Sequence, residues 1–224
     1  MRAAPTTKMG IATTCYMTAW RPRDTLEFIE HAQSLGGGGV QASLSSLDKA
    51  YVSKVRAKIE EYGMFLEVMG PLPRQDAAQF EAVLRAAKEA GAVCVRSACL
   101  SGRRYETFAT LAAWKSFVDE SHTAIKRGIP LAEKAGIDWA LENHKDWTAA
   151  EFAAILRRYS SPRLGVCLDT GNNISLLDDP MEVVETLRTR SRRTSRTWAS
   201  RRTRMDSCCR KCRWATGSSI FRRS

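Results

Sequence analysis

The feature that most constrains the fold is a regular alternation of short, β-rich apolar runs with longer segments of helical periodicity. The sequence predicts strands within 8–16, 36–44, 64–70, 92–99, 137–144 and 163–169. It predicts helices over roughly 22–35, 46–62, 74–90, 106–135 and 148–159, with another beginning near 178. Strands that are each followed by a helix predict right-handed βαβ units and a parallel sheet. Because a closed barrel takes roughly 250 residues, we expect an α/β fold with about six units of an incomplete (β/α)8 TIM barrel.

Residues at the predicted helix ends agree with this parse. Asp24 and Asp76 suit helix N-termini. Glycines stand where helices should end, at Gly36, Gly63, Gly91 and Gly136. The 106–135 segment has an apolar stripe made of Phe108, Leu111, Ala112, Val118 and Ile125. A dinucleotide-binding fold is not supported, because no G-x-G-x-x-G follows the first predicted strand. We expect the glycine run 36–39 instead to close a helix and let the second strand start close to its neighbour.

The net charge of +11 is confined to one end of the chain. Residues 188–224 hold 13 Lys and Arg but a single acid, Asp206, whereas residues 1–187 carry 22 basic and 23 acidic side chains. The body is therefore electrostatically ordinary, and a nucleic-acid partner is not expected from its charge. We predict a partial barrel domain over 1–187 and a separate, disordered basic tail over 188–224.

Carboxylates follow two neighbouring predicted strands, where each strand ends. Glu142 closes the fifth strand and Asp169 follows the sixth. The carboxyl ends of barrel strands face the active-site mouth, and Glu142 and His144 can share one face because side chains alternate. Two carboxylates in one mouth would repel unless a cation lies between them, and their oxygens suit Mg²⁺ or Mn²⁺. Two other roles stay open: Glu142 as the partner of an internal ion pair, and Asp169 as the N-cap of the next turn.

Other residues near the strand ends are candidates for substrate binding. His144 and Lys145 can contact substrate hydroxyls or a phosphate, or serve only the loop structure. Arg96, late in the fourth strand, can pair with Glu142 or hold an anionic group. Trp20 can form the floor of a sugar pocket, or pack in the core or at the rim. Asn172, in the loop after the sixth strand, is the remaining candidate for substrate binding.

The segments A-L-E-N-H-K-D-W-T-A-A-E-F, P-R-L-G-V-C-L-D-T-G-N and D-D-P-x-E-x-x-x-x-L resemble the xylose-isomerase-like barrel superfamily over residues 9–187. The resemblance implies divalent-metal chemistry on a small sugar or cyclitol by sugar (phosphate) isomerases and epimerases, with Mn²⁺ or Mg²⁺, or else Zn²⁺ or Co²⁺. It also implies that Glu142 and Asp169 are metal ligands, that Glu142 is catalytic, and that the intact form can be a homo-oligomer. The other two ligands, a His in an H-x-K-D motif and a late Glu, have no counterpart after His144 and Glu185. Relatives in this superfamily include type IV endonucleases, so phosphodiester hydrolysis stays an alternative, as does a truncated barrel without activity.

The composition of the tail suggests a shifted reading frame. From Arg188 onward there is no Leu or Val, and Arg, Ser and Thr dominate. Suppose that each codon of the original frame consists of the third base of one codon in the printed frame and the first two bases of the next. Residues 193–199 can then be decoded as H-I-K-D-M-G. In this frame Trp198-Ala199 must give Gly, and Cys208-Cys209 must give Leu. We therefore hypothesise a single-base deletion or a sequencing error near codon 188. An arginine-rich nucleic-acid arm is the weaker interpretation, because aromatic residues are sparse there.

The remaining patterns concern the compartment. No apolar run approaches the roughly 20 residues of a membrane helix, and no secretory signal is expected at the start of the sequence. The body cysteines, Cys15, Cys94, Cys99 and Cys167, fall on predicted strands. They are most simply reduced core residues, which favours a cytoplasmic protein.

Overall fold

Six parallel strands form one sheet in the order in which they occur in the chain. The computed structural model describes residues 9–16, 20–75 and 77–193, with side chains as far as Leu187. The strands are β1 (Gly10–Ala12), β2 (Gly39–Ala42), β3 (Phe65–Met69), β4 (Cys94–Ala98), β5 (Asp138–Glu142) and β6 (Leu164–Cys167). Each lies inside its predicted range, and every neighbouring pair is parallel. The expectation of a TIM-barrel-like α/β fold is confirmed.

A helix follows each strand, and between β1 and β6 these helices return the chain to the start of the next strand. The helices are α1 (Thr25–Ser34), α2 (Lys49–Tyr62), α3 (Ala77–Glu89), α4 (Arg104–Thr107), α5 (Leu111–Ala135), α6 (Ala149–Arg158) and α7 (Pro180–Arg193). Short 3-10 helices cover Thr13–Tyr16 and Asn172–Leu176. Within the part of the chain that the structure describes, no helix has the length and apolar character needed to cross a bilayer.

The predicted helix ends are present where the structure describes them. The Asp24 side chain accepts a hydrogen bond of 2.9 Å from the Glu27 N–H and caps α1. Gly63 and Gly136 end α2 and α5 in the left-handed region, with φ of 61° and 65°, which glycine adopts without steric cost. Asp76 lies outside the described residues.

The single helix predicted over 106–135 is wrong, because the segment forms two helices. Phe108 has an extended backbone and ends α4, and Thr110 is extended again. The Thr110 hydroxyl accepts a hydrogen bond of 3.2 Å from the Ala113 N–H and starts α5. Of the predicted stripe, Leu111 at the start of α5 is 67% exposed, whereas Ile125 is fully buried.

The two faces of the sheet have different chemistry. Outward side chains pack under the helices in one large core, which includes Val40, Leu66, Val68, Val95, Trp139 and Leu141. The alternate residues face the barrel interior. Cys94, Ala140 and Cys167 form a small buried apolar cluster on this face, and the ring of Phe65 lies over Gly10 and Gly39. Gln41 and Glu67 are register partners there, joined by a buried hydrogen bond of 2.9 Å. The interior is thus the polar side of the sheet.

Glycines allow β1, β2 and β3 to begin close together. A Cβ atom on Gly39 would overlap the ring of Phe65, and one on Gly10 would lie 2.8 Å from the Gly39 carbonyl oxygen. This agrees with the structural role expected for the 36–39 run.

The last described helix passes the predicted domain boundary at residue 187. Helix α7 continues to Arg193, and the rest of the predicted tail lies outside the described residues.

Candidate functional site

Glu142 and Asp169 lie at the same edge of the sheet. Glu142 is the last residue of β5 and pairs in register with Cys167, the last residue of β6. Asp169 follows Cys167 by two residues, in the loop that begins the 3-10 helix Asn172–Leu176. The carboxyl ends of parallel strands share one edge of a sheet, and this edge carries the active site in TIM barrels.

Arg96 supplies the cation that contacts Glu142. Arg96 pairs in register with Ala140 on β5, two residues before Glu142. Its long side chain reaches Glu142, and the guanidinium forms an ion pair with the carboxylate. The side chains are 18% and 8% exposed, so the pair is largely removed from water. The sequence left two roles open for Arg96, to pair with Glu142 or to hold an anionic group. In the structure Arg96 is the ion-pair partner of Glu142.

Asn172 connects the two carboxylates. Its side-chain amide donates a hydrogen bond of 3.3 Å to Oε1 of Glu142, and its main-chain N–H donates one of 3.0 Å to Oδ1 of Asp169. The same Asp169 oxygen accepts a hydrogen bond of 2.7 Å from the Gly171 N–H. Asp169 therefore caps the turn that follows β6, which is one of the two roles that the sequence left open for this residue. Asn172, predicted to bind substrate, is 8% exposed and holds the two acids together.

Two buried amides that were not predicted from the sequence fix the loop that carries Asp169. Asn143, fully buried, accepts a hydrogen bond of 2.7 Å from the Asp169 N–H and donates one of 2.7 Å to the Asp169 carbonyl. It also donates to Oδ1 of Asn173 at 2.9 Å. Asn173 in turn donates to Asp178 at 2.7 Å. The available signal was a polar residue placed between Glu142 and His144 at the end of an apolar strand.

His144 and Lys145 lie in the loop after β5. Burial lowers the pKa of His144, and the nearby charges of Lys145 and Arg96 lower it further. The imidazole is therefore predominantly neutral at pH 7. The Lys145 carbonyl accepts a hydrogen bond of 3.0 Å from the Arg104 N–H, which ties this loop to α4.

Asp146, two residues after His144, is a buried carboxylate that was not among the predicted site residues. It is fully buried and accepts hydrogen bonds from the main-chain N–H groups of Leu100 and Trp147, at 3.1 and 2.9 Å. Burial raises the pKa of its carboxyl to about 6, against the opposing effect of these hydrogen bonds. Asp146 thus joins the loops after β4 and β5.

Trp20 belongs to a different cluster. Its ring lies 4.4 Å from that of His31 on α1 and 5.2 Å from that of Tyr16, measured between centroids. These contacts correspond to the packing role that the sequence left open for Trp20. Its assignment to a sugar pocket stays a prediction.

The described residues do not by themselves fit a tightly held divalent ion. Glu142 already has a cation partner in Arg96, and one oxygen of Asp169 caps the following turn. Nowhere in the described ranges are three or more His, Cys, Asp or Glu side chains grouped so that they could hold a metal. Mg²⁺ requires an octahedral shell of oxygen ligands, and two carboxylates supply only a part of it.

Comparisons with known proteins give one family. The model of the family described as xylose isomerase-like TIM barrel matches residues 29–195. The 3-oxo-isoapionate decarboxylase of Pectobacterium atrosepticum is 25% identical over 189 residues, which are 79% of this chain. The chain spans 64% of the length of that relative.

Solved structures share the fold at lower identity. The 3-keto-D-glucoside 4-epimerase of E. coli superposes with a TM-score of 0.64 at 16% identity, covering 82% of this chain and 76% of the other. Endonuclease IV from Thermus thermophilus has a TM-score of 0.53 at 18% identity, covering 81% and 70%.

Proposed function

Because the chain belongs to the xylose isomerase-like TIM barrel family, we propose that it acts on a small sugar or cyclitol by isomerisation or epimerisation next to a carbonyl group. The observation that carries this proposal is the junction at Asn172, where the acids closing β5 and β6 contact one residue. The relatives support a substrate that carries a carbonyl group. The names of both the decarboxylase and the epimerase specify a substrate with a keto or oxo group.

Glu142 is the proposed acid–base residue. Its carboxylate takes a proton from the carbon next to the substrate carbonyl, which leaves an enediolate, and then returns the proton. Return of this proton to the former carbonyl carbon, together with transfer of the hydroxyl proton from one oxygen to the other, isomerises the sugar. Inversion at the same carbon needs a proton that arrives at the opposite face, from a second acid or from solvent. Asn172 orients the Glu142 carboxylate for this transfer. His144 and Lys145 are assigned to substrate hydroxyls or a phosphate, and Trp20 to the rim of the pocket.

The proposal includes a divalent metal that this chain holds poorly. The superfamily commonly uses divalent metals, and Mn²⁺ or Mg²⁺ is the proposed ion. Its ligands would be Glu142 and Asp169 with others from beyond the described residues. Since the described residues supply only two carboxylates, we expect weak ion binding and low or absent turnover from the chain as printed.

A shifted reading frame accounts for the missing ligands. Helix α7 is described as far as Arg193, the residue at which the decoded H-I-K-D-M-G begins. In a chain of βαβ units, a strand is expected to follow a crossover helix such as α7. Sequencing the gene across codons 180–225 tests the idea. Restoring one base near codon 188 is expected to open this frame, and its absence there would reject the hypothesis.

The function is tested on the frame-restored protein with Mn²⁺ and a panel of keto- and aldo-sugars in D2O. Nuclear magnetic resonance follows both product formation and deuterium uptake at the carbon next to the carbonyl. Glu142→Gln is expected to reduce both by about 10²-fold or more, the usual size of a general acid–base contribution. Glu60→Gln, which alters an exposed ion pair with Arg56 on α2, is the matched control. Unchanged exchange in Glu142→Gln would remove Glu142 from the reaction.

A further inference from the structure

The ion pair between Arg96 and Glu142 places opposite charges in contact at the carboxyl edge of β4 and β5. The Glu142 carboxylate is 8% exposed, and a carboxylate at that depth needs a compensating cation. Arg96 provides it from inside the barrel, from a position closer to the middle of the sheet than Glu142. The charge of Glu142 is therefore already balanced by the chain itself.

A divalent ion at Glu142 would change this balance. It would bring two positive charges next to a guanidinium that is always protonated. At such short range and low exposure, repulsion between the two cations is large. Arg96 and the ion therefore cannot both take the carboxylate without cost, and one must give way to the other.

We propose that Arg96 and a divalent cation are alternative partners of Glu142, so that Arg96 sets how tightly this site holds an ion. The inference rests on the proposed function only in taking Glu142 as the residue that would meet the ion. Arg96 is then a residue that tunes the ion site, without contact to the reacting atoms. Removal of its charge leaves a buried carboxylate that accepts another cation.

The test measures Mn²⁺ binding to the full 224-residue chain by calorimetry and by the electron paramagnetic resonance of free Mn²⁺. Arg96→Met is expected to bind Mn²⁺ more tightly than the unchanged protein by about ten-fold or more, since the buried carboxylate then lacks its cation. The gain should vanish in the double variant Arg96→Met with Glu142→Gln. Arg96→Lys keeps a cation and should bind Mn²⁺ like the unchanged protein.

A matched control exists on the same strand. Arg163 pairs with Asp138 at the other end of β5, with 2.8 Å between Nη1 and Oδ1. Arg163→Met removes a cation from a carboxylate outside the site, and its Mn²⁺ affinity should not change. An equal gain in this variant would show that any freed carboxylate binds the ion, and would overturn the proposal.

Each remaining outcome is decisive. Equal or weaker Mn²⁺ binding by Arg96→Met, or a gain that survives Glu142→Gln, contradicts the proposal. If Arg96→Met unfolds, Mn²⁺ should restore its structure by replacing the guanidinium, as followed by circular dichroism, and failure to do so also counts against it. A gain in affinity without turnover in the restored protein would leave this inference standing while the proposed function fails.

Discussion

Asn143 binds the main chain of Asp169 through both ends of its carboxamide, with one hydrogen bond of 2.7 Å to the N–H and one of 2.7 Å to the carbonyl. The amide takes the place of a further pair of ladder bonds, because register pairing of β5 with β6 stops at Glu142 and Cys167. It therefore holds Asp169 at a fixed position relative to Glu142.

Asn143→Ala should consequently destabilise the fold and free the Asp169 amide. The change removes three hydrogen bonds from a fully buried site, and we expect a loss of about 2–4 kcal/mol in the free energy of unfolding. Urea denaturation measures the loss, and hydrogen exchange should show a faster Asp169 amide. Asn173→Ala keeps both bonds to Asp169 and is the control. Equal exchange at Asp169 in the two variants would contradict the assignment.

The buried carboxyl of Asp146 should make stability depend on pH in the opposite sense to a paired carboxylate. Burial raises its pKa to about 6 from an ordinary value of 3.8, so the folded state resists ionisation. Its contribution is favourable below about pH 4 and is lost as the pH rises to about 6, by an amount on the order of 3 kcal/mol. Urea denaturation between pH 4 and 7 should show Asp146→Asn gaining stability relative to the unchanged protein as the pH rises. Parallel curves for the two proteins would disprove it.

The body cysteines should differ sharply in reactivity. Cys15 is exposed, whereas Cys94, Cys99 and Cys167 are buried. Burial raises the pKa of the Cys99 thiol to about 12, so almost no reactive thiolate exists at pH 8. Iodoacetamide at pH 8 should modify Cys15 and leave Cys99 intact until the protein is unfolded, as read by peptide mass spectrometry. Modification of both at similar rates in the folded protein would mean that Cys99 is accessible.

Replacement of Gly128 in α5 by alanine is predicted not to increase the stability of the protein. Alanine in a helix interior is ordinarily better than glycine by about 1 kcal/mol. Here a Cβ atom would lie 2.6 Å from the ring of Trp139, which is itself held by a hydrogen bond of 3.0 Å to Ser97. Gly128→Ala should therefore destabilise the protein by about 1–3 kcal/mol.

Thermal denaturation compares this variant with Gly165→Ala. A Cβ atom at Gly165 would meet no atom within 4 Å, so that variant should show little loss. A Gly128→Ala protein as stable as the original would mean that Trp139 can move aside.

The sequence predicts the elements of this fold better than it predicts their contacts. The positions of the strands and of the glycines at helix ends depend on local sequence, so they could be predicted. The break at Phe108 was missed because the N-cap at Thr110 decides the start of α5. The ion pair of Arg96 with Glu142 could be anticipated from their charges.

The role of Asn143 could not be anticipated. Its hydrogen bonds to Asp169 depend on how β5 and β6 are aligned, which is a property of the folded sheet. The same holds for the bond from Asn172 to Glu142, which joins residues 30 positions apart, whereas its bond to Asp169 spans only 3 positions and is local. Long-range relationships of this kind need the register of the strands before they can be predicted.

The opposite character of the two sheet faces has a consequence for evolution. The apolar layer beneath the helices holds the scaffold together. Loss of one partner from an inward pair such as Arg96 and Glu142 leaves a buried charge without its counterpart, so inward residues are expected to change in pairs. A lineage built in this way can alter the chemistry of its lumen by paired substitutions while its backbone stays recognisable.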